Sequence, residues 1–288
     1  MERYIAIDNV CAWPNLTLLP DKSIAALVFN TPAHAVYEGE VECWKSDDGG
    51  CLWRKVGVPA PHTPGNNRMN LGAGLSSDGA LVVLCSGWSS VTSYGTQIPA
   101  KFHRKVIDSV VCRSYDGGAS WQQGGSIEKP HQIDSFMAYG DIVQSSDGIL
   151  GACFHSWGDS TEKGVIGFPN FTSYFLRSYD DGRTWVEPVV IGKDAKGNPI
   201  NNNETAVICI DGKTLLAAAR TLDDQHLELY ESEDFGKTWH RRGPVTLAYQ
   251  HPAHFLMLHD GSILLTYGIR NKGFYGVGAR ISKDRGNT

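Results

Sequence analysis

The chain has 288 residues, with 26 Lys+Arg against 31 Asp+Glu and a formal net charge of −5. A composition that is 41% hydrophobic and only 20% charged, with 32 Gly and 8 Trp, excludes a disordered chain, and weak acidity without a basic block excludes nucleic acid and anionic membrane as main partners. No apolar stretch approaches the roughly 18 residues that span a bilayer, and Met1-Glu2-Arg3-Tyr4-Ile5 lacks the apolar region and cleavage site of a signal peptide, so a cytoplasmic location is expected.

Two short phrases alternate along the chain. One is an apolar run broken by a tight turn, at Asp21-Lys22, Asp78-Gly79, Asp147-Gly148, Asp211-Gly212 and Asp260-Gly261. Asp-Gly between β-rich runs is a hairpin signal. The other reads S-x-D-x-G-x-T-W and begins at Ser46, Ser114, Ser178, Ser232 and Ser282. Leu52 and Ser120 depart from it at the Thr position, and the fifth copy reaches Thr288 without its Trp. Its Asp can accept bonds from amides of its own turn, its Gly supplies a positive φ, and its Trp covers the hairpin. These aspartates therefore read as scaffold.

Each unit contains two hairpins, hence four antiparallel strands, and successive phrases start 68, 64, 54 and 50 residues apart. This spacing predicts an all-β fold, a β-propeller of four-stranded antiparallel blades over residues 1–288 as one domain, with five blades visible. The seven cysteines include no CxxC pair and read as reduced, mostly buried thiols. No HExxH or His-Cys cluster and no Gly-rich phosphate loop occurs, so neither a metal nor a cofactor is expected.

Residues at a fixed distance from each Asp-Gly turn should share a height. Seven before the Asp lie Pro14, Leu71, Gly140, Glu204 and Ala253, of which only Glu204 ionises. Nine after the turn in its own hairpin lies Arg220, and ten after the turn in the next unit lies Arg270. Glu204 and Arg220 should face one another across paired strands. Two readings stand at this point: a receptor for an anionic ligand, since Arg grips carboxylates, or a structural ion pair. Asp141 and His155 flank the Asp147-Gly148 turn as near cross-strand partners, a pair that could act as acid or base. Tyr139 and Trp157 sit beside them. His251 and His254, Arg68 and Asn70 fall at the same level in other units, and Asp134 lies on the loop entering the third. Trp13, Trp88, Tyr139 and Trp157 suggest a carbohydrate partner.

The S-x-D-x-G-x-T-W phrase is similar to the Asp-box, and the chain from Ala12-Trp13-Pro14 to Thr288 resembles the sialidase (neuraminidase) superfamily of six-bladed propellers. The resemblance implies that Glu204, in Asn203-Glu204-Thr205, polarises a tyrosine nucleophile. It also implies that Arg220 and Arg270 belong to a triad gripping the sugar carboxylate. The first triad arginine is replaced at Ala12-Trp13-Pro14. The loop where the family carries its acid Asp offers Glu38, Glu40 and Glu42, and the tyrosine would come from a sixth blade, before which the sequence reads as cut short. The resulting expectation is a sialidase-like glycoside hydrolase acting on an anionic sugar. Glu204, Arg220 and Arg270 form its base and anion-binding side, an acid comes from Glu38/Glu40 or the Asp141–His155 pair, and Arg68, Trp13, Tyr139, Trp157 and His254 contact substrate. The alternatives are a non-catalytic propeller that binds a glycan or protein, and a His-based lyase or hydrolase on the same fold.

Overall fold

The computed structural model describes residues 4–97, 105–131, 133, 135–156, 171–222 and 225–287. They divide into two compact units, residues 1–127 and 128–288. In the first, β1 (Cys11–Leu18), β2 (Ile24–Phe29), β3 (Val41–Ser46) and β4 (Arg54–Gly57) pair antiparallel in chain order. So do β5 (Asn70–Leu75), β6 (Leu81–Trp88), β7 (Val106–Ser114) and β8 (Gln122–Gln123), and the short β9 (Ser126–Ile127) follows.

The second unit repeats the plan. Its strands β10 (Phe136–Gln144), β11 (Leu150–Ser156), β12 (Ser173–Ser178) and β13 (Thr184–Val190) pair consecutively. Next come β14 (Asn202–Cys209), β15 (Leu215–Thr221), β16 (Leu227–Ser232) and β17 (His240–Pro244), then β18 (Gln250–Met257), β19 (Ile263–Ile269) and β20 (Gly276–Ser282).

The first phrase of the sequence forms the turn between the first two strands of each set. In it Ser76 N–H donates to Ala80 O and Gly79 N–H to Ser76 O, at 2.9 and 3.0 Å. Leu19/Ser23, Ser145/Ile149 and Leu258/Ser262 repeat the closing bond. The last turn residue is left-handed, as a three-residue hairpin requires: Gly79, Gly148, Gly212 and Gly261 at φ 81–83°, and Lys22 at 71°.

The second phrase forms the turn between the third and fourth strands of the first four sets and follows β20 in the fifth, and its chemistry is local. The serine hydroxyl accepts the N–H of the glycine four residues on at 2.8 Å in all five copies, while donating to the aspartate carboxylate. That carboxylate also accepts the amide of the Thr-position residue, Leu52, Ser120, Thr184 or Thr238. These bonds favour the ionised form; at Asp116 the Ser120 hydroxyl and amide, joined by the Ser114 hydroxyl, bring the carboxyl down to about 2. The indoles of Trp53, Trp121 and Trp185 donate to the carbonyl of the same glycine. Each carboxylate is thus satisfied by its own turn.

The second strands β2, β6, β11 and β15 have both faces covered, which is why β6, β11 and most of β15 read as continuous apolar runs, whereas in β19 only Ile263 and Leu265 are buried. In the second unit one core cluster joins Cys153, Phe175, Val207, Ala217 and Tyr230, with Trp239 stacked edge-on against Phe175 at 5.6 Å. All seven cysteines are free thiols, with Cys43, Cys85, Cys112 and Cys153 buried.

Candidate functional site

Three first strands of the second unit share one irregularity. The ladder breaks between Tyr139 and Val143 in β10, between Asn202 and Thr205 in β14, and between Gln250 and Ala253 in β18. In β14 the residues Asn203 and Glu204 oppose Arg220 alone, since Asn202 pairs with Thr221 and Thr205 with Ala219. Such bulges leave residues outside the ladder and re-aim their side chains. The β10 bulge contains Gly140, whose φ of +80° strains any residue with a Cβ.

Charged groups collect at this level. Arg220 Nη1 donates to Glu204 Oε2 at 2.7 Å, with side chains 22% and 12% exposed. Asp141 Oδ2 lies 3.0 Å from His254 Nε2, and β14 packs against both β10 and β18. Burial pushes the Tyr139 phenol well above its usual range; the Glu204 and Asp141 carboxylates add to the effect, and Arg220 and Arg270 oppose it. Glu204, Arg220, Asp141 and Arg270 therefore each lie within electrostatic reach of Tyr139, whose phenol stays neutral. Arg270 is exposed, and its backbone N–H is fixed to Tyr249 O at 2.8 Å.

The expected Asp141–His155 pair is not formed across the strands. His155 pairs with Met137, because the bulge at Gly140 adds residues to β10 and moves Asp141 out of register with β11. His155 is 3% exposed rather than at a rim. Burial lowers it to about 4, with Arg220 acting in the same sense and Glu204 against, so it is neutral near pH 7. Asp141 reaches instead to His254, on a different hairpin. His251 is fully buried. Trp157 and Asp134 lie outside the described residues.

The remaining sequence-derived candidates belong to the first unit. Glu40 accepts the His62 backbone N–H at 3.2 Å and stands 3.0 Å from its Nδ1. Glu38 accepts bonds from Gly65 N–H and Ser93 Oγ, and chiefly the Gly65 bond lowers its pKa, holding it as a carboxylate rather than an acid. Burial raises Glu42, but bonds from Lys55, Asn30 and Trp44 outweigh it and lower its pKa. Arg68 clasps backbone, donating to Cys85 O and Asp108 O at 3.2 and 2.7 Å. The Trp13 ring lies 4.6 Å from that of His34, Trp88 is buried, and Asn70 opens β5 opposite Ser86.

Sequence reasoning missed two features of the second unit. The Asp141–His254 link joins separate hairpins, and no local motif signals it. Glu228 on β16 is 2% exposed and accepts two 2.9 Å bonds from Arg241 and stands 2.9 Å from His226 Nε2, so its charge is neutralised within its own sheet. Among the described residues no group of three or more His, Cys, Asp or Glu could hold a metal ion.

No protein-family model and no curated protein matches the chain. Solved structures do. A protein of unknown function from Dyadobacter fermentans superposes with a TM-score of 0.75 at 21% identity, covering 98% of this chain and 82% of that one. A Hadza microbial sialidase gives 0.67 at 16% identity, with 96% and 56% covered. Trypanosoma rangeli sialidase gives 0.63 at 15% identity, with 94% and 46% covered. The fold is therefore sialidase-like, and the chain spans about half the length of the sialidases it matches.

Proposed function

We propose that the chain is a sialidase-like glycoside hydrolase acting on a sugar that carries a carboxylate. The observation that carries this reading is the Glu204–Arg220 pair, held 2.7 Å apart across the β14 bulge, with Tyr139 in electrostatic reach of both and of Asp141 and Arg270. Arg220 and Arg270 offer planar cations to an anionic sugar. The Glu204 carboxylate stabilises positive charge that develops on the sugar ring and accepts the proton of the attacking water. The fold likeness to Trypanosoma rangeli sialidase, which has been solved with sialic acid, favours an acidic sugar.

A second reading, glycan binding without turnover, is favoured by Ala12, which stands where the resemblance implies an arginine. Methylumbelliferyl sialoside, glucuronide and rhamnoside separate the two. Glu204→Gln is expected to lower kcat on the accepted glycoside by about 10²–10⁴-fold at a temperature where circular dichroism shows the variant fully folded. Turnover at the wild-type rate in that variant would remove Glu204 from the mechanism.

A further inference from the structure

We propose that His254, oriented by Asp141, is the proton donor to the departing glycosidic oxygen; the proposal rests on the hydrolase reading above. Three observations on the geometry carry it.

First, the pair spans the site. Asp141 lies in the β10 bulge and His254 on β18, 3.0 Å apart between Oδ2 and Nε2, and β14 with Glu204 packs against both strands. Second, His254 projects away from the packed face of its strand. Ala253 and Phe255 on either side of it are buried, whereas the His254 side chain is 46% exposed and that of Asp141 28%. Third, the hydrogen bond fixes the role of each ring nitrogen. With Nε2–H donating to Asp141, Nδ1 is the atom that exchanges a proton with a bound group.

The surrounding charges agree with that role. Asp141 and Tyr139 on β10, Glu204 on β14, Arg220 on β15, Arg270 after β19 and the buried His251 on β18 are the charged and titratable groups of the neighbouring strands, and of these Asp141 is the one that acts on His254. The bond to Asp141 raises His254 above the usual imidazole range, against burial, so the imidazolium persists toward neutral pH. Two of the other candidates do not supply such a proton: His155 is neutral and buried, and Glu38 is held ionised.

The step balances as a hydrolysis. The bond between the anomeric carbon and the departing oxygen breaks, its electron pair remains on that oxygen, and the oxygen takes the His254 Nδ1 proton. The oxygen of water forms the new bond to the anomeric carbon, and its proton goes to the Glu204 carboxylate. Exchange with solvent then reprotonates His254 and deprotonates Glu204.

The test compares leaving groups on the full chain. A methylumbelliferyl glycoside departs as a stabilised phenolate, whereas a methyl glycoside of the same sugar needs a proton. His254→Gln is expected to lower kcat/KM at least about 100-fold on the methyl glycoside and less than about 10-fold on the aryl one. The basic limb of its pH profile should disappear, and Asp141→Asn should move that limb to lower pH. An NMR titration of the His254 ring without substrate should show its midpoint falling in Asp141→Asn. Equal losses on both glycosides, or none, overturn the donor role while leaving the hydrolase reading in place. No turnover of any glycoside by the wild type overturns the hydrolase reading and the donor role with it. A His254 midpoint unmoved by Asp141→Asn overturns the orienting role of Asp141.

Discussion

Glu204 Oε2 stands 2.7 Å from Arg220 Nη1 at a point where two residues of β14 oppose one of β15. Each charge is largely withdrawn from water, with 12% and 22% of the side chains exposed. Removing one partner leaves the other partly buried and uncompensated. Arg220→Ala is therefore expected to destabilise the fold by about 1–3 kcal/mol. The double variant Glu204→Gln/Arg220→Ala should recover part of that loss, because no lone charge remains. Urea unfolding of the two single variants and the double variant measures the coupling. Strictly additive losses would show that the two side chains act independently.

His155 makes a prediction about acid. Its folded pKa is depressed by burial to about 4 from an ordinary 6.5. The unfolded chain binds this proton first, so the stability tied to neutral His155 is fully present above pH 6.5. It is lost as the pH falls from 6.5 toward 4, by on the order of 3 kcal/mol. His155→Gln should flatten this part of the curve. Denaturation midpoints at pH 7, 6, 5 and 4 for both proteins check it; parallel curves would mean that His155 does not couple folding to protons in this range.

The two repeated turns were legible because their chemistry closes within a few residues. Ser46, Asp48 and Gly50 satisfy one another, and so do their counterparts in the other four phrases. Glu204 and Arg220 were legible because both flank one hairpin, so counting outward from Asp211-Gly212 brings them together. The same count misplaced Asp141, because it assumes an unbroken ladder. Gly140 permits a bulge, Met137 rather than Asp141 comes opposite His155, and Asp141 turns to a histidine on another hairpin. A contact between separate hairpins depends on how sheets pack, and nothing in the local pattern around Asp141 or His254 encodes it.

Gly236 sits in the fourth serine–aspartate phrase at φ +80°, and a Cβ there would meet Phe175 Cδ1 at 2.1 Å. Phe175 is fully buried and packed edge-to-face against Trp239 and Phe235, so it has no room to yield. Gly236→Ala is expected to cost more than about 3 kcal/mol, from backbone strain and overpacking together. Gly261→Ala is the control, since it has φ +81° and no atom within 4 Å of the added Cβ. It should cost only about 1 kcal/mol. Thermal unfolding of both variants separates the terms, and equal losses would rule out the clash with Phe175.

Lys22 occupies the turn position that Gly79, Gly148, Gly212 and Gly261 fill in the other hairpins, at φ +71°. An L-residue pays roughly 1–2 kcal/mol in that region, because its Cβ crowds the backbone. The Lys22 side chain is exposed, and the turn closes through backbone bonds, Lys22 N–H to Leu19 O and Leu19 N–H to Ser23 O. Lys22→Gly keeps both bonds and relieves the crowding. Greater freedom of glycine in the unfolded chain offsets part of the gain, by about 0.5–1 kcal/mol. The net expectation is a stabilisation of about 0.5–1 kcal/mol, read as a higher urea midpoint with an unchanged slope. A lower midpoint would mean that the lysine side chain contributes more to this turn than its φ costs, with Asp21 and Lys45, joined at 2.8 Å beside it, the first place to look.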